Sequence, residues 1–299
     1  MENILQLIIF GLRIGGVYAL LAIGYTMVYG IVNMINMVHG DFLMIGAFAG
    51  YFILTLGAVY MGNPIFVLMA LLVACILAGL TSVAVERIAY RPLRNKPKIC
   101  SLITATGVSM FIENLFRALP FIGPTPRGFP VIIESQTIRL GSVETDSNSL
   151  IMIAVTVICC IVLSYFVEHT KTGWQMRAVS MDSEAASLMG INVDRIISVT
   201  FFIGAFLAGI GGIVYTSFFP MIDVYMGSWI GTKAFIAAVA GGIGDIKGAM
   251  VGGFLLGLIE IFATSIDSRF AYMVVFMMLI VVLVFKPAGL LGKTTIEKV

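Results

Sequence analysis

The sequence predicts an all-α membrane protein that crosses the bilayer many times. Of its 299 residues, 60% are hydrophobic and only 11% are charged, which is more apolar surface than a water-soluble domain can bury. Apolar runs recur along the whole chain, and a run of about 20 residues is long enough to cross a bilayer. We therefore expect a single transmembrane domain over residues 1–299, with little chain left for a domain in water.

Nine uncharged apolar runs define the expected helices. Several are shorter than a full crossing, so each of these must continue through a polar residue or end inside the bilayer. The seventh run follows Lys233 and ends at the glycine-rich stretch 241–244, which is typical of a broken or re-entrant helix. The sequence thus predicts eight to nine transmembrane helices, including one such segment. The runs cover residues 14–32, 42–60, 65–85, 100–112, 150–166, 196–219, 234–243, 249–259 and 270–285.

The basic residues indicate which loops face the cytoplasm, because Lys and Arg concentrate in short cytoplasmic loops. They predict that loops 86–99, 167–195 and 244–248 and the C-terminus are cytoplasmic, and that 117–149 is the main external segment. Nine crossings place the N-terminus outside, whereas eight plus a re-entrant piece place it inside. The 12 of 18 basic residues in the cytoplasmic set are Arg87, Arg91, Arg94, Lys96, Lys98, Lys171, Arg177, Arg195, Lys247, Lys286, Lys293 and Lys298.

The charge, the cysteines and the histidines give no reason to expect a nucleic-acid partner, a disulfide framework or a metal site. A formal net charge of +2, scattered over loops, gives no reason to expect a nucleic-acid partner, so the lipid bilayer is the expected surrounding. The four cysteines lie in or beside apolar runs and form no disulfide framework. His39 and His169 are too few and too far apart to predict a metal site. The start of the chain, Met1-Glu2-Asn3, has no basic residue, and no small-residue cleavage site precedes a soluble domain, so we expect the first apolar run to stay in the membrane.

The predicted cytoplasmic loop 167–195 contains a short helix with its own start and stop signals. Asp182 can cap the first turn, Glu184 is favoured at the positive end of the helix dipole, and Gly190 can end the helix in the left-handed conformation. An apolar ridge on such a helix needs a partner, because it lies outside the bilayer. The ridge consists of Ala185, Leu188 and Met189.

This helix carries the first of two resemblances. Glu184-Ala185-Ala186, followed by Gly190, resembles the E-A-A-x-x-x-G loop of bacterial ABC-importer permeases, although no Ile-x-Leu-Pro follows here. More widely, the chain is similar to the branched-chain amino acid permease family and most similar to its LivH-type subunits. The matching stretches are 18–30 (YALLAIGYTMVYG), 36–40 (NMVHG), 86–94 (ERIAYRPLR), 188–192 (LMGIN) and 241–244 (GGIG).

The resemblance implies the ABC importer permease fold and an ATP-driven importer of leucine, isoleucine, valine or similar amino acids in the bacterial inner membrane. It implies a second, LivM-type permease, two cytoplasmic ATPases and an external substrate-binding protein. The permease itself is then no enzyme and binds no cofactor, since ATP and Mg belong to the ATPases. The ATPases would dock on the 183–190 helix. The docking residues that the resemblance implies are Glu184, Ala185, Ala186, Leu188, Met189 and Gly190.

Polar residues between the first two apolar runs are candidates for the translocation pathway. Asn33, Asn36, His39, Gly40 and Asp41 interrupt the apolar sequence, and such side chains are unfavourable in hydrocarbon unless they face protein or water. They form either a gate at a broken helix or a capped turn in the cytoplasm, and the sequence leaves both open.

Three further charges lie in or near the spans. Glu113 and Arg117 have the i, i+4 spacing of a structural ion pair near the outer end of a helix, and Glu260 lies late in the eighth run. Together with Asp41, these carboxylates leave open an ion-coupled secondary transporter, which would need ion sites and no docking helix.

A second alternative comes from the Gly242-x-Gly244-Asp245 sequence. The G-x-G-D pattern also surrounds one catalytic aspartate of intramembrane aspartyl proteases, which need two carboxylates sharing a proton. Those proteases have their second aspartate in a Tyr-Asp pair, and this sequence contains none. The interpretation as a protease is therefore weak.

Overall fold

A computed structural model describes residues 4–32, 34–94, 96–132, 137–140 and 143–292. Asn33 and the basic residues Lys293 and Lys298 lie outside these ranges. The α-helices of the described chain are Ile4–Val32 (α1), His39–Leu56 (α2), Pro64–Val85 (α3), Lys98–Ala118 (α4), Ser147–His169 (α5), Lys171–Met181 (α6), Ser183–Leu188 (α7), Val193–Phe218 (α8), Met226–Gly241 (α9), Ile246–Ile266 (α10) and Phe270–Phe285 (α11).

Nine of these helices, α1–α5 and α8–α11, coincide with the nine apolar runs. Seven are long and apolar enough to cross a membrane, and α11 is a shorter apolar helix. The prediction of an all-α, polytopic protein with eight to nine helices is confirmed. Four short strands were not predicted: Arg127–Gly128 (β1), Thr137–Leu140 (β2), Val143–Asp146 (β3) and Met221–Ile222 (β4). β1 pairs with β4 and β2 with β3, both antiparallel, and three of the four lie in the segment 117–149.

α1 is the central helix of the bundle and is buried continuously from Gly15 to Val28. It runs antiparallel to α10, where Gly253 packs against Ala19 and Gly257 packs against Gly15. A Cβ on either α10 glycine would collide with the backbone of α1. Small residues at such crossings let two helices approach closely, which is how helices gain packing energy in lipid.

The connections that carry the basic residues meet at one end of the bundle, which we call the basic end. Lys247 Nζ lies 3.1 Å from Glu168 Oε1, which joins the α9–α10 connection to the end of α5. At the opposite end, Arg13 in α1 donates to Ser149 at the start of α5 over 3.3 Å. The start of α1 therefore lies opposite the basic end, as the nine-crossing alternative requires.

α2 begins inside the bundle. A Cβ on Gly24 of α1 would collide with the His39 ring, and the same ring lies against Gly204 of α8. Gly24 is eight residues before the end of α1, or ~12 Å along the helix axis. The chain therefore turns back into the bundle before α2 starts. This arrangement is that of an interrupted helix rather than of a turn at the surface.

The first turns of α9 pack against the start of α2. Gly227 and Gly231 lie against the backbone of Gly40, so the beginnings of α9 and α2 cross at close range. α9 has only 16 residues and ends at Gly242, where φ is +118°, a backbone conformation that favours glycine. The predicted irregularity of the seventh run is thus a short helix with a glycine stop.

Candidate functional site

α7 has the caps that its sequence predicts. Asp182 Oδ1 accepts hydrogen bonds from the backbone N–H groups of Glu184 at 2.9 Å and of Ala185 at 3.0 Å. Gly190 follows the helix with φ at +83°. A side-chain cap satisfies N–H groups that the first turn of a helix leaves unpaired. The helix therefore holds its shape at the basic end of the bundle, between α6 and α8.

The apolar ridge of α7 faces away from the rest of the chain. Leu188 is 90% exposed and Met189 is 83% exposed, and Ala185 is also exposed. Ala186 differs from this prediction, because it is buried and joins Ile196 of α8 in a small apolar cluster. We therefore correct its role, since its methyl group attaches α7 to the bundle and is not available to a docking partner.

A buried ionic cluster connects the end of α3 to the start of α8, directly after α7. Glu86 is completely buried in a π-helical turn, Glu86–Tyr90. Its carboxylate pairs with Arg94 and accepts a hydrogen bond from Ser198 Oγ at 2.8 Å. Arg94 also pairs with Asp194, as does the more exposed Arg91. Glu86, the most deeply buried acid of the cluster, therefore has the cation Arg94 beside it.

The same π-helical turn reaches the pathway candidates. Tyr90 is buried, and its hydroxyl donates to Asn36 Oδ1 over 2.7 Å. Its ring packs against Phe201 of α8, with 5.5 Å between the ring centroids. A continuous set of contacts therefore runs from the start of α8, beside α7, through Tyr90 to the segment that precedes α2.

Of the five predicted pathway residues, four lie together in the bundle, and Asn33 lies outside the described residues. Asn36, His39 and Asp41 are each no more than 2% exposed. Asn36 Nδ2 and His39 Nε2 have no hydrogen-bond partner among the described residues, and the Asp41 carboxylate has only the Ser109 hydroxyl beside it. Gly40 gives the close crossing with α9. Buried polar atoms without partners are rare in folded proteins and need an explanation.

A cavity of about 280 Å³ lies beside this polar group, mainly between α4 and α9. Asp41 lies behind it, next to Ser109 and close to Glu113. The side chains that α4 and α9 contribute to its lining are Thr106, Ser109, Met110, Glu113, Ser228, Thr232 and Phe235.

The predicted ion pair between Glu113 and Arg117 is not formed. Glu113 is buried and accepts a hydrogen bond from Ser228 Oγ, whereas Arg117 is exposed and donates to Tyr225 OH over 3.0 Å. The two side chains lie on one side of α4, but α9 and the segment before it offer each a separate partner. No cation of the described chain pairs with Glu113.

Glu260 shows the opposite arrangement. Its Oε1 lies 2.5 Å from Lys233 Nζ, and its Oε2 accepts a hydrogen bond from Tyr18 over 2.8 Å. Lys233 also lies over the ring of Tyr272, 4.6 Å from its centroid. An acid and a base that are both nearly buried therefore neutralise each other inside the bundle.

Asp245, the aspartate of the G-x-G-D sequence, is used as a helix cap. Its Oδ1 accepts from the backbone N–H groups of Lys247 at 2.9 Å and Gly248 at 3.3 Å, at the start of α10. Asp41 lies at the start of α2 and faces α4 instead. The two aspartates have different neighbours and form no catalytic pair that shares a proton.

Three features of this region have a signal in the sequence that the predictions did not use. Glu86 stands among basic residues that indicate only the topology of the loop. On α4, Thr106, Ser109 and Glu113 recur at i, i+3 and i+7, which places them on one side of the helix. On α9, Ser228 and Thr232 are four residues apart. Polar stripes of this kind on apolar helices identify faces that avoid lipid.

Comparison with known proteins gives a consistent result. Residues 7–283 match the family described as "Branched-chain amino acid transport system / permease component". The permease proteins LivH of Salmonella typhimurium and of Escherichia coli K12 are each 38% identical to this chain, over 99% of it and 97% of their own length. The permease protein BraD of Pseudomonas aeruginosa is also 38% identical, over 99% of this chain and 98% of its own. All three are described as parts of high-affinity branched-chain amino acid transport systems.

Proposed function

Because the chain belongs to the family of branched-chain amino acid transport permeases, we propose that it is the membrane-spanning permease subunit of an ATP-driven importer. Its substrates would be leucine, isoleucine, valine or similar amino acids. Its partners would be a second, related permease, two ATPases at the basic end and a substrate-binding protein at the opposite end. The basic end would face the cytoplasm of a bacterium, in keeping with the concentration of Lys and Arg in cytoplasmic loops.

The observation that carries this proposal is the exposed ridge on α7. Leu188 and Met189 lie almost fully in the open at the end of the bundle that carries the basic loops. Large apolar side chains in such a position are typical of a protein interface. A motor that hydrolyses ATP outside the membrane needs a rigid contact through which to move helices. The capped helix α7 offers that contact.

The proposed movement can reach the pathway through α8. Ala186 holds α7 against α8, and the Glu86 cluster holds the start of α8 against the end of α3. Tyr90 extends the same π-helical turn to Asn36. A displacement of α7 would therefore act on the interrupted start of α2 through packed and hydrogen-bonded side chains. ATP and Mg would be used by the partner subunits alone.

The test is reconstitution of the chain with its partner subunits in liposomes, with the loaded binding protein outside. Uptake of leucine should require ATP on the side of the ATPases. Replacing Leu188 by Asp should reduce co-purification of the ATPases and ATP-driven uptake by about tenfold or more, because a charge would be buried at the interface. Glu184→Lys and Gly190→Leu should act in the same direction.

Val59→Asp is the matched control. Val59 is 92% exposed, as Leu188 is, but it lies in the α2–α3 connection at the opposite end of the bundle. The ATPases should therefore remain bound to this variant. Equal co-purification and equal uptake in the Leu188, Glu184 and Gly190 variants would contradict α7 as the docking site.

The ion-coupled alternative gives a different result in the same liposomes. A secondary transporter would import leucine when an ion gradient is applied, without any ATPase present. Uptake under those conditions would overturn the proposed function. Uptake that needs both the ATPases and ATP would support it.

A further inference from the structure

Among the described residues, two acidic side chains and no paired cation are found at the cavity between α4 and α9. Glu113 is buried at its wall, and Asp41 lies behind it, next to the Ser109 hydroxyl. The two carboxylates are close to each other, and no Lys, Arg or His of the described chain pairs with either. Two buried acids without a cation are unfavourable, because each loses hydration and each repels the other.

The hydroxyl groups of the cavity add further hydrogen-bond acceptors. Thr106 Oγ1 donates to Leu102 O over 3.1 Å, and Thr232 Oγ1 donates to Ser228 O over 2.8 Å. The hydroxyl of Ser228 donates to Glu113. A hydroxyl has one hydrogen to donate and two lone pairs to accept with. Once these hydrogens are used, the oxygens facing the cavity are acceptors, so the site suits a ligand that donates hydrogen bonds.

Most of the remaining wall of the cavity is apolar, and Tyr25 is its polar exception. Met110 of α4, Phe235 of α9 and Met37, from the segment before α2, line it together with the hydroxyl groups. Methionine side chains adapt to differently shaped apolar ligands. The cavity therefore combines an acidic, acceptor-rich side with a deformable apolar side, and both lie within one small volume.

The cavity lies within the membrane-spanning part of the chain. Glu113 comes fifteen residues after Lys98, the first residue of α4, which is ~22 Å along the helix from the basic end. Ser228 and Thr232 lie in the first two turns of α9. These first turns pack against the interrupted start of α2, which also carries Asp41. A ligand in the cavity would contact the helix starts that the α7 contacts can reach.

We propose that this cavity is a binding site on the translocation pathway for the ammonium group of the amino acid, with Glu113 as its direct partner and Asp41 behind it. The apolar wall then receives the aliphatic side chain. No Lys, Arg or His of the described chain lines the cavity to bind the carboxylate of the amino acid. Recognition here therefore rests on the amino group of the substrate. This inference deepens the proposed function and rests on it for the identity of the ligand.

The first experiment measures transport by the complete reconstituted complex with saturating, loaded binding protein. Glu113→Gln should lower the maximal rate of leucine uptake by about tenfold or more, because a hydrogen bond to a charged group is lost. Asp41→Asn should lower it less. Glu113→Asp, which keeps the charge, should restore part of the rate. Asp267→Asn neutralises an acid that pairs with Arg269 in the α10–α11 connection and should leave uptake unchanged.

The second experiment measures the charge preference of the cavity without transport. Thr232→Cys is introduced in a complex whose four native cysteines are replaced by alanine, after leucine uptake by that background is verified. A cationic and an anionic methanethiosulfonate reagent, each normalised to its reaction with a free thiol, are then compared. The cationic reagent should react about tenfold faster with Cys at this position, and Glu113→Gln should remove most of that preference, since the field of the carboxylate is gone. Leucine should slow labelling.

The outcomes separate the two levels of the proposal. If ATP-driven uptake fails in the wild-type complex, the proposed function is wrong, and the labelling ratio still reports whether the cavity favours cations. If wild-type uptake occurs and Glu113→Gln matches it, the ammonium site is wrong while the function stands. Equal labelling by the two reagents overturns the site in either case. Leucine uptake that requires Na⁺ would assign the cavity to a metal cation and overturn it as well.

Discussion

Two groups of buried acids in this molecule differ in one respect, which is the presence of a cation. At the basic end, Glu86 is completely buried, yet it has Arg94 beside it and a hydroxyl group that donates to it. Inside the bundle, Asp41 and Glu113 are also buried, yet no basic side chain of the described residues pairs with them. The pair between Glu260 and Lys233 shows that the bundle can supply a cation at a similar depth.

The comparison shows that burial alone does not distinguish structural acids from functional ones. A buried ion pair is costly to break, because removing one partner leaves the other charge without compensation. An acid that is left without a cation in the folded chain must gain its compensation from outside, as protons or as a ligand. The Glu86 cluster and the Glu260 pair therefore have structural roles, and the Asp41–Glu113 cavity is the proposed binding site.

Breaking the Glu86 cluster should give the largest loss of stability. Arg94→Ala leaves Glu86 buried without its cation and should lower the free energy of unfolding by about 3 to 5 kcal/mol. Thermal unfolding of the purified protein in detergent measures this loss. Lys233→Met should act similarly on Glu260, but less strongly, because Glu260 is 7% exposed whereas Glu86 is completely buried.

The double variant Glu86→Gln, Arg94→Gln is the control for this prediction. It removes both charges and keeps two polar side chains, so no buried charge is left without compensation and it should be more stable than Arg94→Ala alone. A melting temperature of Arg94→Ala equal to that of the wild type would show that Glu86 needs no cation. The contrast with the cavity would then fail.

A smaller effect is expected where α1 meets the start of α2. Gly24→Ala places a Cβ against the ring of His39, two residues before Asp41, and should lower stability by about 1 to 3 kcal/mol through overpacking. Gly30→Ala in the same helix is the matched control, because its Cβ would meet Gly244 at 3.5 Å, an ordinary contact. Equal melting temperatures for the two variants would contradict the close fit that positions Asp41.

Neutralising the unpaired acids should have the smallest effect on stability. Glu113→Gln keeps an oxygen that can accept from Ser228 and removes one of two neighbouring negative charges, so the melting temperature should stay unchanged or rise. The same measurement on Lys233→Met should show a clear decrease. A loss of stability in Glu113→Gln as large as in Lys233→Met would indicate that Glu113 has a structural cation. It would contradict the distinction between the paired and the unpaired buried acids.

Much of the fold follows from local signals in the sequence. The apolar runs predict the nine apolar helices α1–α5 and α8–α11, and Asp182 and Gly190 predict both ends of α7. The prediction for the site was less complete. Glu113 was assigned to a pair with Arg117 from its i, i+4 spacing, but spacing along one helix does not reveal that α9 supplies Ser228 to Glu113. Ala186 was placed on the docking surface because a motif contains it, while its position on the helix turns it towards α8.

The sequence by itself determined that the chain lies in a membrane, where its apolar helices lie along the chain and where the exposed ridge on α7 occurs. These properties depend on hydropathy and on capping, which act over one or two helical turns. Only the tertiary structure decided which buried acids have a cation, because Lys233 reaches Glu260 from another helix, whereas Arg117, one turn from Glu113 on α4, contacts Tyr225 instead. The cavity between α4 and α9 also depends on tertiary structure, because its walls come from two helices that are distant in the sequence.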